Sequence, residues 1–217
     1  MLHTETVTGA TLELLKSLGS ESGMSGFNLA GDTSLALYLG HRISADLIFL
    51  TSEPFDATKL EKFLYNKYNF HTDSMEKNTL KGTIGGIEMD CITSFYDCLE
   101  RPYTESGIRL YSVEDIIAMK LSAIANGGSR LKDFIDIAFL STRFPFNSML
   151  RLYERKFPNS NLIRPFKAIT YFEDIDFSED IMMLNGKYDW KLIEKRLVEM
   201  TKSQEKVFES FPLPLKE

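Results

Sequence analysis

Several short stretches of this 217-residue chain carry side chains whose types and spacing suit phosphate or metal chemistry. Gly31-Asp32-Thr33-Ser34 follows a short apolar run and opens a helical segment. At such a turn the unpaired backbone N–H groups and the positive helix end hold phosphate. The same residues also serve as a plain glycine turn in which Thr33 or Ser34 caps the helix. Downstream, residues 43–51 alternate so that Asp46, Ile48 and Leu50 share one strand face. Asp90 lies in a second such stretch, and two strand aspartates facing each other would bind a hard divalent cation through oxygen. Taken singly, each is an ordinary carboxylate, with Asp46 answered by nearby Arg42 or a backbone N–H.

Lys120 falls at i+7 from Val113 on an apolar helical stripe, so its ammonium should meet something anionic. That partner is either a phosphate or a carboxylate such as Asp136, the remaining alternative being a stem that snorkels to water. Asp133 and Asp136, spaced i and i+3, share a helix side. They either orient Lys120 or Arg130 or form a solvated acidic face.

The elements that must position these residues are readable from periodicity. Leu14, Leu15 and Leu18 cover one side of a first helix, which Gly19 ends. Residues 27–30 form a strand, the Gly31 loop follows, and a helix runs to Leu39. A strand over 43–51, a turn at Glu53-Pro54 and a helix over 56–68 come next. Residues 80–84 and 87–94 form a hairpin across Gly85-Gly86. From Ser112, a good N-cap with Asp115 three residues on, the pattern turns helical up to the stop at Asn126-Gly127-Gly128. Leu131, Phe134, Ile135, Ala138 and Phe139 mark a second, core-facing helix. Further helices are expected near 148–157 and 189–208. The predicted fold is α/β (α+β): a small mixed sheet with helices over residues 1–111, then a helical region over 112–217. A cleft between the halves is expected to hold Gly31, Thr33, Ser34, Asp46, Asp90 and Lys120.

Residues 27–51, FNLAGDTSLALYLGHRISADLIFLT, resemble the first motif region of the AbiEii-type nucleotidyltransferases, toxins of abortive-infection systems with a polymerase-beta-like fold. There a glycine loop precedes a helix, a His-Arg-x-Ser stretch and a strand bearing Asp-x-Asp. Asp115, Lys120 and the stretch from Arg130 to Asp136 resemble the downstream motifs, and the resemblance spans about 25–142.

The resemblance implies transfer of a nucleoside monophosphate from a nucleoside triphosphate to an acceptor such as RNA, with an antitoxin protein as partner. It assigns catalysis to Asp46, Asp90, Lys120, Asp133 and Asp136, and nucleotide binding to Gly31, Thr33, Ser34 and Arg42. Asp46 and Asp90 would hold magnesium ions that activate the attacking oxygen and stabilise pyrophosphate. Two positions depart from the family pattern: Ile48 replaces the second carboxylate, and Asp32 replaces the second glycine of the loop. An apolar side chain cannot coordinate Mg²⁺, and a carboxylate beside the phosphates repels them unless Asp32 faces away or turns inward as a substitute metal ligand. Weak or altered transfer is therefore expected, the alternative being an inactive pseudoenzyme that binds nucleotide, RNA or protein.

A net charge of −6 argues against a protein that coats nucleic acid through bulk phosphate neutralisation, though not against a small basic pocket. Cys91 and Cys98 form no CxxC pair, and His3, His41 and His71 are scattered, which argues against a zinc site or a disulfide scaffold. The N-terminal residues lack a basic start with an apolar run, and no stretch approaches the roughly 20 apolar residues of a membrane span. A cytoplasmic setting is the expectation.

Overall fold

The computed structural model describes residues 1–214, which form two compact units. One comprises Met1–Gly40 and Ser44–Ser112, and the other comprises His41–Ile43 together with the residues from Val113 onward. The fold is mixed α/β, and every strand belongs to the first unit.

In the sheet unit, helix α1 (Gly9–Ser20) is capped by the Thr8 side chain, which accepts from the Thr11 N–H. The helix runs through Gly19 instead of ending there, and the Gly19 Cα lies so close to the Gly107 carbonyl that a Cβ would collide with it. Strand β1 (Asn28–Ala30) leads directly into α2 (Gly31–Leu39), and β2 (Leu47–Thr51) follows. Helix α3 (Ala57–Tyr68) starts at Asp56, whose carboxylate accepts from the Lys59 N–H. Strands β3 (His71–Glu76), β4 (Thr79–Ile84), β5 (Ile87–Thr93), β6 (Tyr103–Glu105) and β7 (Ile108–Leu110) complete the sheet. Its order is β3-β4-β5-β2-β1-β7-β6, with β2/β5 and β1/β7 parallel and the other pairs antiparallel.

Period-two alternation sorts the side chains onto two faces. Leu29, Phe49, Cys91 and Leu80 are register partners in turn and are buried in a core with Leu14, Leu15, Leu18, Leu60 and Leu64. On the other face, the adjacent row reads Ala30, Ile48, Asp90, Lys81. Burial of the first face fixes the register, because a one-residue slip would exchange the two rows. The β4–β5 hairpin turns on Gly85 and Gly86, with φ of 57° and 81°, which suits a two-residue turn that demands positive φ at both positions.

The second unit contains α4 (Val113–Asn126), α5 (Leu131–Leu140), α6 (Phe146–Lys156), α7 (Ile163–Ala168) and α8 (Trp190–Lys202). The buried stripe Leu131, Phe134, Ile135, Ala138 and Phe139 is the one expected from spacing. Among the described residues no helix is long and apolar enough to cross a membrane.

Further expectations need correction. The strand expected over 43–51 begins only at Leu47, because the backbone N–H of Ile43 bonds Met182 and that of Ser44 bonds Thr6. The last helix stops at Lys202, after which the chain turns back so that the Phe208 N–H reaches the Ser141 carbonyl. Three strands went unpredicted: β3 is exposed along its whole length, and β6 and β7 have only three residues each.

Candidate functional site

The glycine loop is built where β1 ends. Gly31 adopts φ +67° and begins α2, with Asp32, Thr33 and Ser34 completing the first turn. No side chain of Ala30 caps this end, and Asp32 is buried in the first turn, where the positive helix end favours its charge. Thr33 Oγ1 donates to the Asp46 carbonyl at 2.5 Å and lies 2.7 Å from Ser44 Oγ. The loop and the residues leading into β2 are thereby tied together from below.

Gly31 also lies against β2: a Cβ there would stand 3.3 Å from Ile48 Cδ1. Ile48 thus occupies the sheet face beneath the loop, between Ala30 and Asp90. Asp46 is exposed and sits just before β2, so the residue beside Asp90 is Ile48 and not Asp46. The Asp90 carboxylate is engaged by Lys81 Nζ at 2.5 Å, with side chains 26% and 45% exposed respectively.

Lys120, Asp133 and Asp136 come together in the helical unit. Lys120 Nζ lies 2.6 Å from both Asp133 Oδ1 and Asp136 Oδ2. Arg42 grips Asp136 in a two-point fork, Nε to Oδ1 at 2.7 Å and Nη2 to Oδ2 at 2.8 Å. His41 Nε2 bonds Asp136 Oδ1 at 2.7 Å, and Arg130 Nη1 is 3.8 Å from Asp133. Burial opposes ionisation of Asp136, but the adjacent Arg42 and Lys120 charges hold its carboxyl well below the usual carboxylate range. For His41, burial outweighs the Asp136 hydrogen bond and pushes the imidazole down. An ionised carboxylate only accepts, so Nε2 carries the proton of the neutral ring.

These contacts correct two alternatives raised by spacing. Asp133 and Asp136 are not a solvated face, being 2% and 0% exposed. Arg42 bonds Asp136 rather than Asp46, which holds His41–Ile43 within the helical unit together with backbone bonds from Ile43 to Met182 and from Leu184 to His41. Asp115 belongs to a separate buried pair with Lys156 at 2.6 Å.

Lys156 and Lys81 were not singled out from the sequence, and His41 and Ser44 entered only as part of the His-Arg-x-Ser stretch. For Lys81 the signal existed: a two-residue turn at Gly85-Gly86 pairs Ile84 with Ile87, and counting outward sets Lys81 opposite Asp90.

Comparisons with known proteins agree with this architecture. A protein-family model described as nucleotidyl transferase AbiEii toxin, type IV TA system, matches residues 81–211, more than half of the chain. An uncharacterized protein of Aquifex aeolicus is 32% identical over 169 residues, covering 75% of this chain and 80% of that protein. Among solved structures, a putative nucleotidyltransferase from Helicobacter pylori superposes with a TM-score of 0.53 at 18% identity, over 90% of this chain and 94% of that one. JHP933, also from Helicobacter pylori, gives 0.52 at 18% identity, over 90% and 92%. At that identity the structures speak for the fold alone. The family model matches β5, which carries Asp90, and the segment bearing Lys120, Asp133 and Asp136. This chain belongs to the AbiEii nucleotidyltransferase toxin family.

Proposed function

We propose that the protein is a nucleotide-handling member of this family whose metal site has been remade, so that nucleoside monophosphate transfer to an acceptor such as RNA is weak. The observation that carries the proposal is the row Ile48, Asp90, Lys81 beneath the Gly31 loop. Magnesium demands close to six oxygen ligands in near-octahedral array at about 2.0–2.1 Å. Ile48 offers no oxygen, and Asp90 already answers an ammonium. The residues on this face do not fit a paired-carboxylate magnesium centre.

On this reading the first-turn N–H groups of α2, with Thr33 and Ser34, receive the phosphates of a triphosphate. Asp46 and Asp90 are what remains of the acidic set. Lys120, Asp133, Asp136 and Arg42 hold the loop that leads into Asp46. Nucleotide handling is assigned to residues 1–111, and 112–217 supply the helical support. An antitoxin-like protein is the proposed partner and the cytoplasm the proposed setting.

A second reading is favoured by the same Ile48: a binding module with no transfer at all. Both are tested by incubating the purified protein with labelled nucleoside triphosphates, Mg²⁺ and RNA. Transfer slightly above background supports the first reading, and none with retained nucleotide binding supports the second. Vigorous transfer that stops on adding EDTA contradicts a remade metal site.

A further inference from the structure

The mismatch between this face and a magnesium centre has a positive side. We propose that the Lys81 ammonium takes the place of a divalent cation here, so that the site binds the phosphates of a nucleoside triphosphate without metal. The proposal rests on the nucleotide-handling reading above and names the group that replaces the ion.

Three observations carry it. Lys81 is the register partner of Asp90 and lies 2.5 Å from its carboxylate, so a fixed positive charge stands where an acidic strand residue would otherwise call for a cation. Its side chain is nevertheless 45% exposed. An ammonium has three N–H donors and the recorded hydrogen bond to Asp90 uses one of them, so donors remain for phosphate oxygens. Finally, the pair and the loop share one side of the sheet. Ala30, Ile48, Asp90 and Lys81 follow one another across neighbouring strands, spaced about 4.8 Å apart, and Gly31 packs against Ile48 on that face. The start of α2, with Asp32 buried in its first turn, and the Lys81 ammonium therefore belong to the same side of the sheet.

Charge argues in the same direction. An unanswered Asp90 carboxylate on this face would repel a triphosphate. Lys81 cancels that charge permanently, whereas a metal does so only when bound. The competing account is an ordinary cross-strand ion pair with no ligand. It predicts that removing the ammonium leaves binding unchanged.

The test is calorimetric titration of the full chain with ATP, GTP, CTP and UTP, once with EDTA and once with Mg²⁺, for the native protein, Lys81→Gln and Lys81→Arg. Expected are similar affinities in EDTA and Mg²⁺, a loss of about tenfold or more in Lys81→Gln as one charge-assisted contact disappears, and substantial recovery in Lys81→Arg. Thermal unfolding of Lys81→Gln should match the native protein, since the pair is half-exposed. Binding that requires Mg²⁺, or a Lys81→Gln protein that binds as tightly as native, overturns the role of Lys81 while leaving nucleotide handling intact. Failure of the native protein to bind any of the four triphosphates in either condition overturns the nucleotide-handling reading as well.

Discussion

The sheet unit and the helical unit each pair an aspartate with a lysine at nearly the same distance, 2.5 Å for Asp90–Lys81 and 2.6 Å for Asp136–Lys120, yet the two pairs have different physical meanings. Asp136 and Lys120 are 0% and 4% exposed, and Arg42, His41 and Asp133 close the cluster around them. In that cluster Lys120 and Arg42 balance Asp133 and Asp136 away from water. Buried ion pairs of this kind hold chain in place. Asp90 and Lys81, at 26% and 45% exposure, keep water and spare donors. The difference teaches that two ion pairs of nearly equal length are separated by burial alone.

The sharpest way to break this comparison is to remove the centre of the closed cluster. Asp136→Ala leaves the Arg42 and Lys120 charges buried without their main partner, and breaking a buried pair in this way costs about 3–5 kcal/mol. Urea unfolding of the variant should show a loss of that order. A loss below about 1 kcal/mol, the range of surface pairs, would mean that the cluster is no more structural than Asp90–Lys81.

A smaller effect is expected from pH. The folded-state pKa of Asp136 is depressed below 3.8, so its contribution is present above that value and is lost as pH falls from there through the folded value. For His41 the folded value lies below 6.5, so the unfolded chain takes up a proton that the folded protein resists. Stability therefore drops as pH falls below 6.5, and again under 3.8. His41→Asn should flatten the first of these slopes. An unchanged slope would show that the ring is not held neutral. At the lower end of the scale stands Lys81→Gln, whose half-exposed pair should cost less than about 1 kcal/mol despite its expected effect on nucleotide binding.

Much of the sheet unit was legible because short-range chemistry dictates it. Gly31 and the apolar run before it announce a strand-to-helix turn, and Gly85-Gly86 fixes a hairpin register that extends as far as Lys81 and Asp90. Ile48 stood out only through the resemblance, whose Asp-x-Asp pattern sets a carboxylate at that position. Strand β3 was hidden because both of its faces are exposed and no apolar alternation is required. The strand into β2 was drawn too long because residues 43–46 read as extended and apolar, while the partner of Ile43, Met182, is remote in sequence. Lys120 announced an anionic partner by its place on an apolar stripe. Its pairing with Asp133 and Asp136, and the fork from Arg42 to Asp136, depend on tertiary packing that no local pattern encodes.

The account turns on whether the face beneath the Gly31 loop lacks a divalent site because of Ile48. The direct measurement is a Mn²⁺ titration followed by electron paramagnetic resonance, with a nucleoside triphosphate present, on the native protein and on the double variant Ile48→Asp with Asp32→Gly. Replacing buried apolar contacts could cost roughly a few kcal/mol, so thermal unfolding accompanies the titration. The account predicts a native protein that adds nothing to the Mn²⁺ bound by the triphosphate alone, and a folded double variant that gains a protein-bound ion. Native protein that binds Mn²⁺ as tightly as the double variant would contradict it.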